Sequence, residues 1–180
     1  IETIPRVQYP DTSLNADLMS HYYELDAAFE KGDMEAGFVL AMNLTRCHFY
    51  VNYADKFDAF WTRREEDMRQ KGKDESYIQN MLTINIANLD FCHGVTKDIA
   101  SKTFNYLLTA AENGHVPAMA SFYFISPFQQ FPSGDLSEVE AKKLWEKNEQ
   151  QMEKYELVRD VFLKLAVERG DLNALSWYAF

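Results

Sequence analysis

Two cysteines each stand immediately before a histidine: Cys47 before His48, and Cys92 before His93. Four such side chains could ligate zinc, but helical neighbours point about 100° apart and the usual ligand spacings are missing. A disulfide between Cys47 and Cys92 is the better reading. Each cysteine lies near a helix end, just before a loop, so the two meet if those helices pack side by side. A bond there requires an oxidising compartment, and the expected location is periplasmic or otherwise exported. The other reading is two buried free thiols, which would fit a cytoplasmic chain equally well.

Other chemistry is sparse. The sequence has no glycine-rich phosphate loop, nucleophile elbow or His-Glu-x-x-His helix. Arg63 to Asp67 reads as a solvated helix face. The carboxylates from Glu65 to Glu75 carry the one enzymatic alternative, whose mark would be raised pKa values in a cleft. His115 suits a helix cap, and His21 a half-exposed packing position. Asn43-Leu44-Thr45 has the form of a glycosylation sequon but lies in a packed helix, so it is not read as a glycan acceptor. Tyr123, Phe124, Phe128 and Phe131 form an aromatic cluster: either a partner-binding patch or a cover folded over the core, the commoner arrangement. The expectation is a non-enzymatic protein with no catalytic residues, metal or cofactor.

The elements that would position these groups read as helices. Residues 1–15, with Pro5, Pro10 and Asp11, lack helical periodicity and are expected to form an extended arm; residues 16–180 form one helical domain. Leu18, Tyr22, Leu25 and Phe29 recur at threes and fours and predict a helix over about 16–31. A second, over about 34–50, presents Phe38, Ala41, Met42 and Thr45. A third spans about 55–70, and a fourth about 75–91 with Ile78, Met81, Leu82, Ile86 and Leu89 as its stripe. A helix over about 99–113 carries Phe104, Leu107, Leu108 and Ala111, and a short one follows Pro117. Residues 126–135 read as a loop. The stretch 136–169 contains no Gly or Pro, and reads either as one helix or as two broken near Asn148. A last short helix covers 172–180.

One pattern recurs in three places: Ala-x-x-x-Gly-(Asp/His)-x-x-Ala. It stands at Ala28, Gly32, Asp33 and Ala36; at Ala110, Gly114, His115 and Ala118; and at Ala166, Gly170, Asp171 and Ala174. Gly suits the left-handed residue that ends a helix, the next residue can cap the following one, and small Ala lets the two approach closely. These segments resemble the Sel1-like repeat family, relatives of the tetratricopeptide repeats. Residues 110–118, AAENGHVPA, match its signature nearly letter for letter, and Gly94-Val95-Thr96-Lys97-Asp98 looks like its Gly-Val-x-x-Asp turn. The resemblance implies an all-α fold, an α-solenoid of antiparallel helix pairs acting as an adaptor in protein complexes. The motif glycines are 82 and 56 residues apart (114 minus 32, 170 minus 114), against roughly 36 residues for the family's repeat. The solenoid is therefore irregular, with helical insertions at 52–90 and 126–160.

Composition narrows the partners. The 180 residues carry 28 acidic and 18 basic side chains, a formal charge of −10, which disfavours nucleic acids and anionic lipid. It would steer a basic protein partner instead. No apolar run reaches the roughly 20 residues of a membrane helix. A first residue of Ile, not Met, is what removal of an N-terminal piece would leave. The resemblance adds a sharper alternative: some bacterial Sel1-like proteins are periplasmic immunity proteins that neutralise a secreted toxin such as a lipase effector.

Overall fold

The computed structural model describes residues 7–9, 11–14, 16–53, 56–125 and 138–178, and among these it is all-helical. In chain order the helices are α1 (Met19–Glu30), α2 (Met34–Tyr53), α3 (Phe57–Gln70), α4 (Glu75–Phe91), α5 (Lys97–Ser101), α6 (Thr103–Glu112), α7 (Val116–Ser121), α8 (Glu138–Glu168) and α9 (Leu172–Tyr178). Two expectations change. The helix expected over 99–113 begins earlier and is interrupted at Lys102, where the Thr103 hydroxyl donates to the Ala100 carbonyl at 2.7 Å. The stretch expected to run or to break at Asn148 is continuous, about 46 Å at 1.5 Å per residue. The described residues of the arm, 7–9 and 11–14, are not helical, and the loop expected at 126–135 lies outside the described residues.

Helix α2 is the centre: it packs against α1, α4, α5 and α6, while α6 packs on α7, α7 on α8 and α8 on α9. That surround explains why its buried residues, among them Phe38, Val39, Leu40, Ala41, Leu44, Cys47 and Tyr50, cover more than one face. Thr45, expected on the apolar face, is exposed and its hydroxyl turns back to the Ala41 carbonyl at 2.8 Å. A single buried cluster extends from Leu18 through α2 and α6 to Ala174. The α3–α4 pair has its own small cluster of Trp61, Met68 and Ile78. Along α4 the expected stripe thins: Ile78 is fully buried, whereas Ile86 is 44% exposed.

A polar and covalent seam ties α4 to the centre. Cys47 on α2 and Cys92 just beyond α4 are disulfide-linked, with Cα atoms 5.3 Å apart. Around it the Arg46 Nε donates to Asn88 at 2.7 Å, the Arg46 guanidinium lies 4.2 Å from the Phe91 ring centre, and the Tyr50 hydroxyl donates to Asn85 at 3.0 Å. The Leu18 N–H donates to the Phe91 carbonyl at 2.9 Å, joining the start of α1 to the end of α4.

The three segments with the shared pattern have one atomic explanation. After α1, the Asp33 N–H reaches the Ala28 carbonyl at 3.1 Å and the Gly32 N–H reaches that of Phe29 at 2.8 Å. After α6 the same two bonds run from His115 to Ala110 and from Gly114 to Ala111, and after α8 from Asp171 to Ala166 and from Gly170 to Val167, all at 3.0 Å. This crossed pair closes a helix through a residue of positive φ, and Gly32, Gly114 and Gly170 lie at 97°, 89° and 88°. The residue after each glycine then opens the next helix. Ala36 N–H donates to Asp33 Oδ1 at 3.1 Å, Ala118 N–H to His115 Nδ1 at 3.2 Å, and Ala174 N–H to Asp171 Oδ1 at 2.8 Å. The first Ala thus supplies an acceptor and the last a donor. Gly94, in the separate Gly-Val-x-x-Asp turn, has φ 81°, and Thr96 caps α5 there while Asp98 sits in its first turn.

Three outcomes follow from these contacts. In Gly32→Ala the added Cβ meets no atom within 4 Å, so only the left-handed backbone resists it; urea denaturation should register a loss of about 1 kcal/mol. His115 caps through a lone pair, and burial holds its pKa below the ordinary 6.5 against the pull of Glu35 and Asp33. A depressed histidine pKa contributes stability that is whole above 6.5 and is lost as pH falls through the lower folded value. His115→Asp, which copies the cap of the other two turns, should therefore lose less stability than the parent between about pH 7 and pH 5. Breaking the disulfide, which spans 45 residues, should cost up to about 4 kcal/mol. Guanidinium denaturation with and without reductant measures it, and equal midpoints would show that the bond contributes nothing.

Candidate functional site

The aromatic segment after α7 divides between core and surface. Phe122 and Ile125 are buried, whereas Tyr123 and Phe124 are 36% and 53% exposed. The division has a cause: Phe122 packs on Tyr155 and Phe162 of α8, with ring centres 5.2 and 5.1 Å away, and the Tyr155 hydroxyl donates to the Phe122 carbonyl at 2.7 Å. With that side of the turn held down, its other two side chains face outward. Of the four aromatics expected to form a patch, Phe128 and Phe131 lie outside the described residues.

Tyr123 and Phe124 meet residues that the sequence did not single out. Phe124 sits edge-on to Trp177 of α9 at 4.8 Å, and the Arg159 guanidinium lies 5.2 Å from the Tyr123 ring centre. Tyr123, Arg159, Asp160, Val161, Lys164 and Trp177 are among the residues lining a groove of about 500 Å³. Arg159 is held by Asp160 at 2.9 Å, and Lys164 reaches Glu168 at 3.9 Å. Val161 of α8 is 55% exposed in the groove wall. The neighbouring surface remains apolar: Leu172, Leu175, Trp177 and Tyr178 are each about half exposed. An available signal was the run Leu175-Ser176-Trp177-Tyr178 itself, since a seven-residue helix cannot bury residues on every side.

A second constellation lies between α1 and α6. The hydroxyls of Tyr22 and Tyr106, both nearly fully buried, are 3.0 Å apart; Tyr106 donates to Asp26, and Lys102 donates to Tyr22 at 3.1 Å. Burial first, then the bonds to Asp26 and Tyr22, keep the Tyr106 phenol protonated far above its usual range. Contact with Tyr22 is also the main cause that raises the Lys102 pKa. Tyr22 was expected only as an apolar stripe residue; its hydroxyl is what the periodicity could not convey. With its donors and acceptors engaged, this network orders the α1–α6 contact.

Two carboxylates of 65–75 shift in the direction opposite to the one an acid/base pair needs. Glu75 is held below the ordinary carboxylate range by Arg69 and then Gln79, and Asp74 by the Ser76 hydroxyl and the Tyr77 N–H it caps. Both are exposed. Within the charged run, Glu65 departs from the solvated face: it is half-buried and accepts from the Trp61 indole at 2.7 Å. Among the described residues no group of three or more His, Cys, Asp and Glu side chains is arranged to hold a metal ion, and no helix is long and apolar enough to cross a membrane. Asn43 is buried, its amide bonded to Val39 and Thr12, so the sequon is not presented at the surface. His48 Nε2 lies 3.1 Å from the Ala100 carbonyl, and among the described residues His21 Nε2 is buried without a hydrogen-bond partner.

No family model matches this chain, and neither a curated protein nor a solved structure matches it.

Proposed function

We propose that this chain is a non-catalytic binding module, an irregular Sel1-like solenoid of antiparallel helix pairs with an inserted α3–α4 pair, working in an exported, oxidising setting. The observation that carries the reading is the groove at the α8–α9 end. Exposed Trp and Tyr beside an arginine form the side-chain set that anchors protein interfaces, because each offers a large rigid area together with a polar handle. The recurring Gly turns support a stacked-pair architecture, and the disulfide suits an oxidising compartment. A formal charge of −10 favours a basic partner over nucleic acid.

Affinity capture from the native source, run in parallel with the parent chain and with a Phe124→Ala/Trp177→Ala variant of unchanged helicity, tests this reading. A discrete protein should bind the parent and be weakened about thirtyfold or more in the variant, the loss of one interface anchor. A partner retained equally by both, or turnover of a small substrate without any partner, would overturn it.

A further inference from the structure

The three shared turns set helices out in pairs, α1 with α2, α6 with α7 and α8 with α9, which can be compared position by position. In each of the first two pairs the second helix packs on its own first helix and also on the first helix of the next pair. Thus α2 lies on α1 and α6, and α7 on α6 and α8. The four residues after the motif's last Ala are buried in both, 37–40 in α2 and 119–122 at the end of α7. In the third pair α9 packs on α8, and the equivalent residues, Leu175, Ser176, Trp177 and Tyr178, are all exposed. Leu172, at the position of the half-buried Met34 and Val116, is exposed as well.

The last of those positions shows what covers the earlier pairs. Phe122, fully buried, is met by Phe104 of its own pair at 5.4 Å and by Tyr155 and Phe162 of the next first helix at 5.2 and 5.1 Å. Its counterpart is Tyr178, and the counterpart of Phe104 is Asp160; both line the groove of about 500 Å³. The groove therefore opens where, one pair earlier, two rings of a following helix stand. The opposite end of the series is finished differently. The exposed residues of α1 are Ser20, Tyr23, Glu24, Ala27 and Glu30, the largely polar face with which a stack of helices meets water. At α9 the outward face is apolar.

We propose that the outward face of α9 and its groove with α8 receive one amphipathic helix of a partner protein, which packs there as α8 packs on α7. Two large apolar side chains seven residues apart on that helix, placed like Tyr155 and Phe162, enter beside Tyr178 and Trp177. The proposal rests on the reading of this end as the binding surface and names the element that binds it. Area argues for a single helix. Leu172, Leu175, Trp177 and Tyr178, each about half exposed, offer on the order of 500 Å². A stable pair of whole proteins buries about 800 Å² on each, whereas one helix laid in a groove needs less. Charge argues the same way. The groove's cations are matched where they stand, Arg159 by Asp160 and Lys164 by Glu168, so the face selects by shape and apolar contact. A second copy, with its own formal charge of −10, would be repelled, and α1 gives it no apolar stripe to offer.

The test is a titration of the full chain with a peptide of α8's own sequence, EKYELVRDVFLKLAVE (residues 153–168), constrained as a helix by a lactam. A scramble of the same composition is the control. The helical peptide should bind and move tryptophan emission to shorter wavelength as the Trp177 indole leaves water, and Trp177→Phe should abolish that shift. Leu175→Glu/Tyr178→Glu, with the melting transition confirming a folded chain, should weaken binding about thirtyfold, the loss of one interface anchor. Serine at both aromatic positions of the peptide should weaken it at least about tenfold. Equal binding of peptide and scramble, binding unchanged by Leu175→Glu/Tyr178→Glu, or no binding would each overturn the proposal. A captured partner that depends on Phe124 and Trp177, found while the helical peptide fails to bind, would overturn it and leave the broader reading standing. Two other occupants would do so too. A dimer of the parent that disappears in Leu175→Glu/Tyr178→Glu, seen by size-exclusion chromatography, would make it a second copy. Peptide binding that arises only in Phe128→Ala/Phe131→Ala would make it that stretch of the same chain.

Discussion

A helix that ends inside a protein leaves carbonyls without donors, and the one that follows opens with N–H groups without acceptors. In this chain one short turn resolves both. The residue after the glycine gives its backbone N–H to the helix behind and its side-chain acceptor to the helix ahead. Because the same residue does both jobs, the two helices cannot drift along each other without losing a bond at each end. Small side chains beside the turns let the helices they join approach closely: Ala110, Ala111, Ala118, Ala166 and Ala174 are almost completely buried. The turns also interlock, since Arg169 at the end of α8 donates to the Gly114 carbonyl of the preceding turn. The rest of the architecture depends on that junction more than on the aliphatic stripes, which are tolerant of substitution.

The α3–α4 pair obeys the same rule with one residue of slack. Lys73 and Gly72 make the crossed bonds back to Met68 and Arg69, both at 3.0 Å, but the cap falls one position later, on Asp74, which accepts from Tyr77 at 2.8 Å. Its own buried cluster is small, and a small core stabilises a pair of helices weakly. The seam to α2 compensates: a disulfide, an Asn–Tyr–Asn chain and an arginine stacked on Phe91. Covalent closure matters most where burial is least, because it acts on the unfolded ensemble and needs no large contact area.

What could be read from residue order follows this physics closely. Helix α4 was legible from its recurring Ile78, Met81, Leu82, Ile86 and Leu89, and it spans the expected 75–91. The three turns were legible because their chemistry is local: acceptor, glycine, cap and donor lie within nine residues. The Gly72 turn was missed as a relative because its cap is offset. The pairing of Cys47 with Cys92 could be favoured but not established, since it depends on α2 and α4 lying side by side. Contacts between distant segments were not legible at all. Nothing in the spacing of Tyr22 and Tyr106 announces that their hydroxyls meet, and Trp177 joins Phe124 only once α8 has doubled back over α7.

The exposed aromatics and the orphaned carboxylate have a common origin in α9. Seven residues give barely two turns, enough to bury one stripe, and Ala174 is the residue that α9 commits to the core. Its inward side is therefore small and its outward side large: Leu172, Leu175, Trp177 and Tyr178 face away. At its start, the cap that the turn demands brings a carboxylate into a nearly dry position, where one oxygen accepts from Ala174 and the other has no hydrogen-bond partner among the described residues. Both features are costs to the isolated chain, one in exposed apolar area and one in an unpaired acceptor. A surface that covers the first or supplies a donor to the second recovers that free energy on contact. This helix is thus where binding has the most to gain, and it stands just past the turn that holds the architecture together.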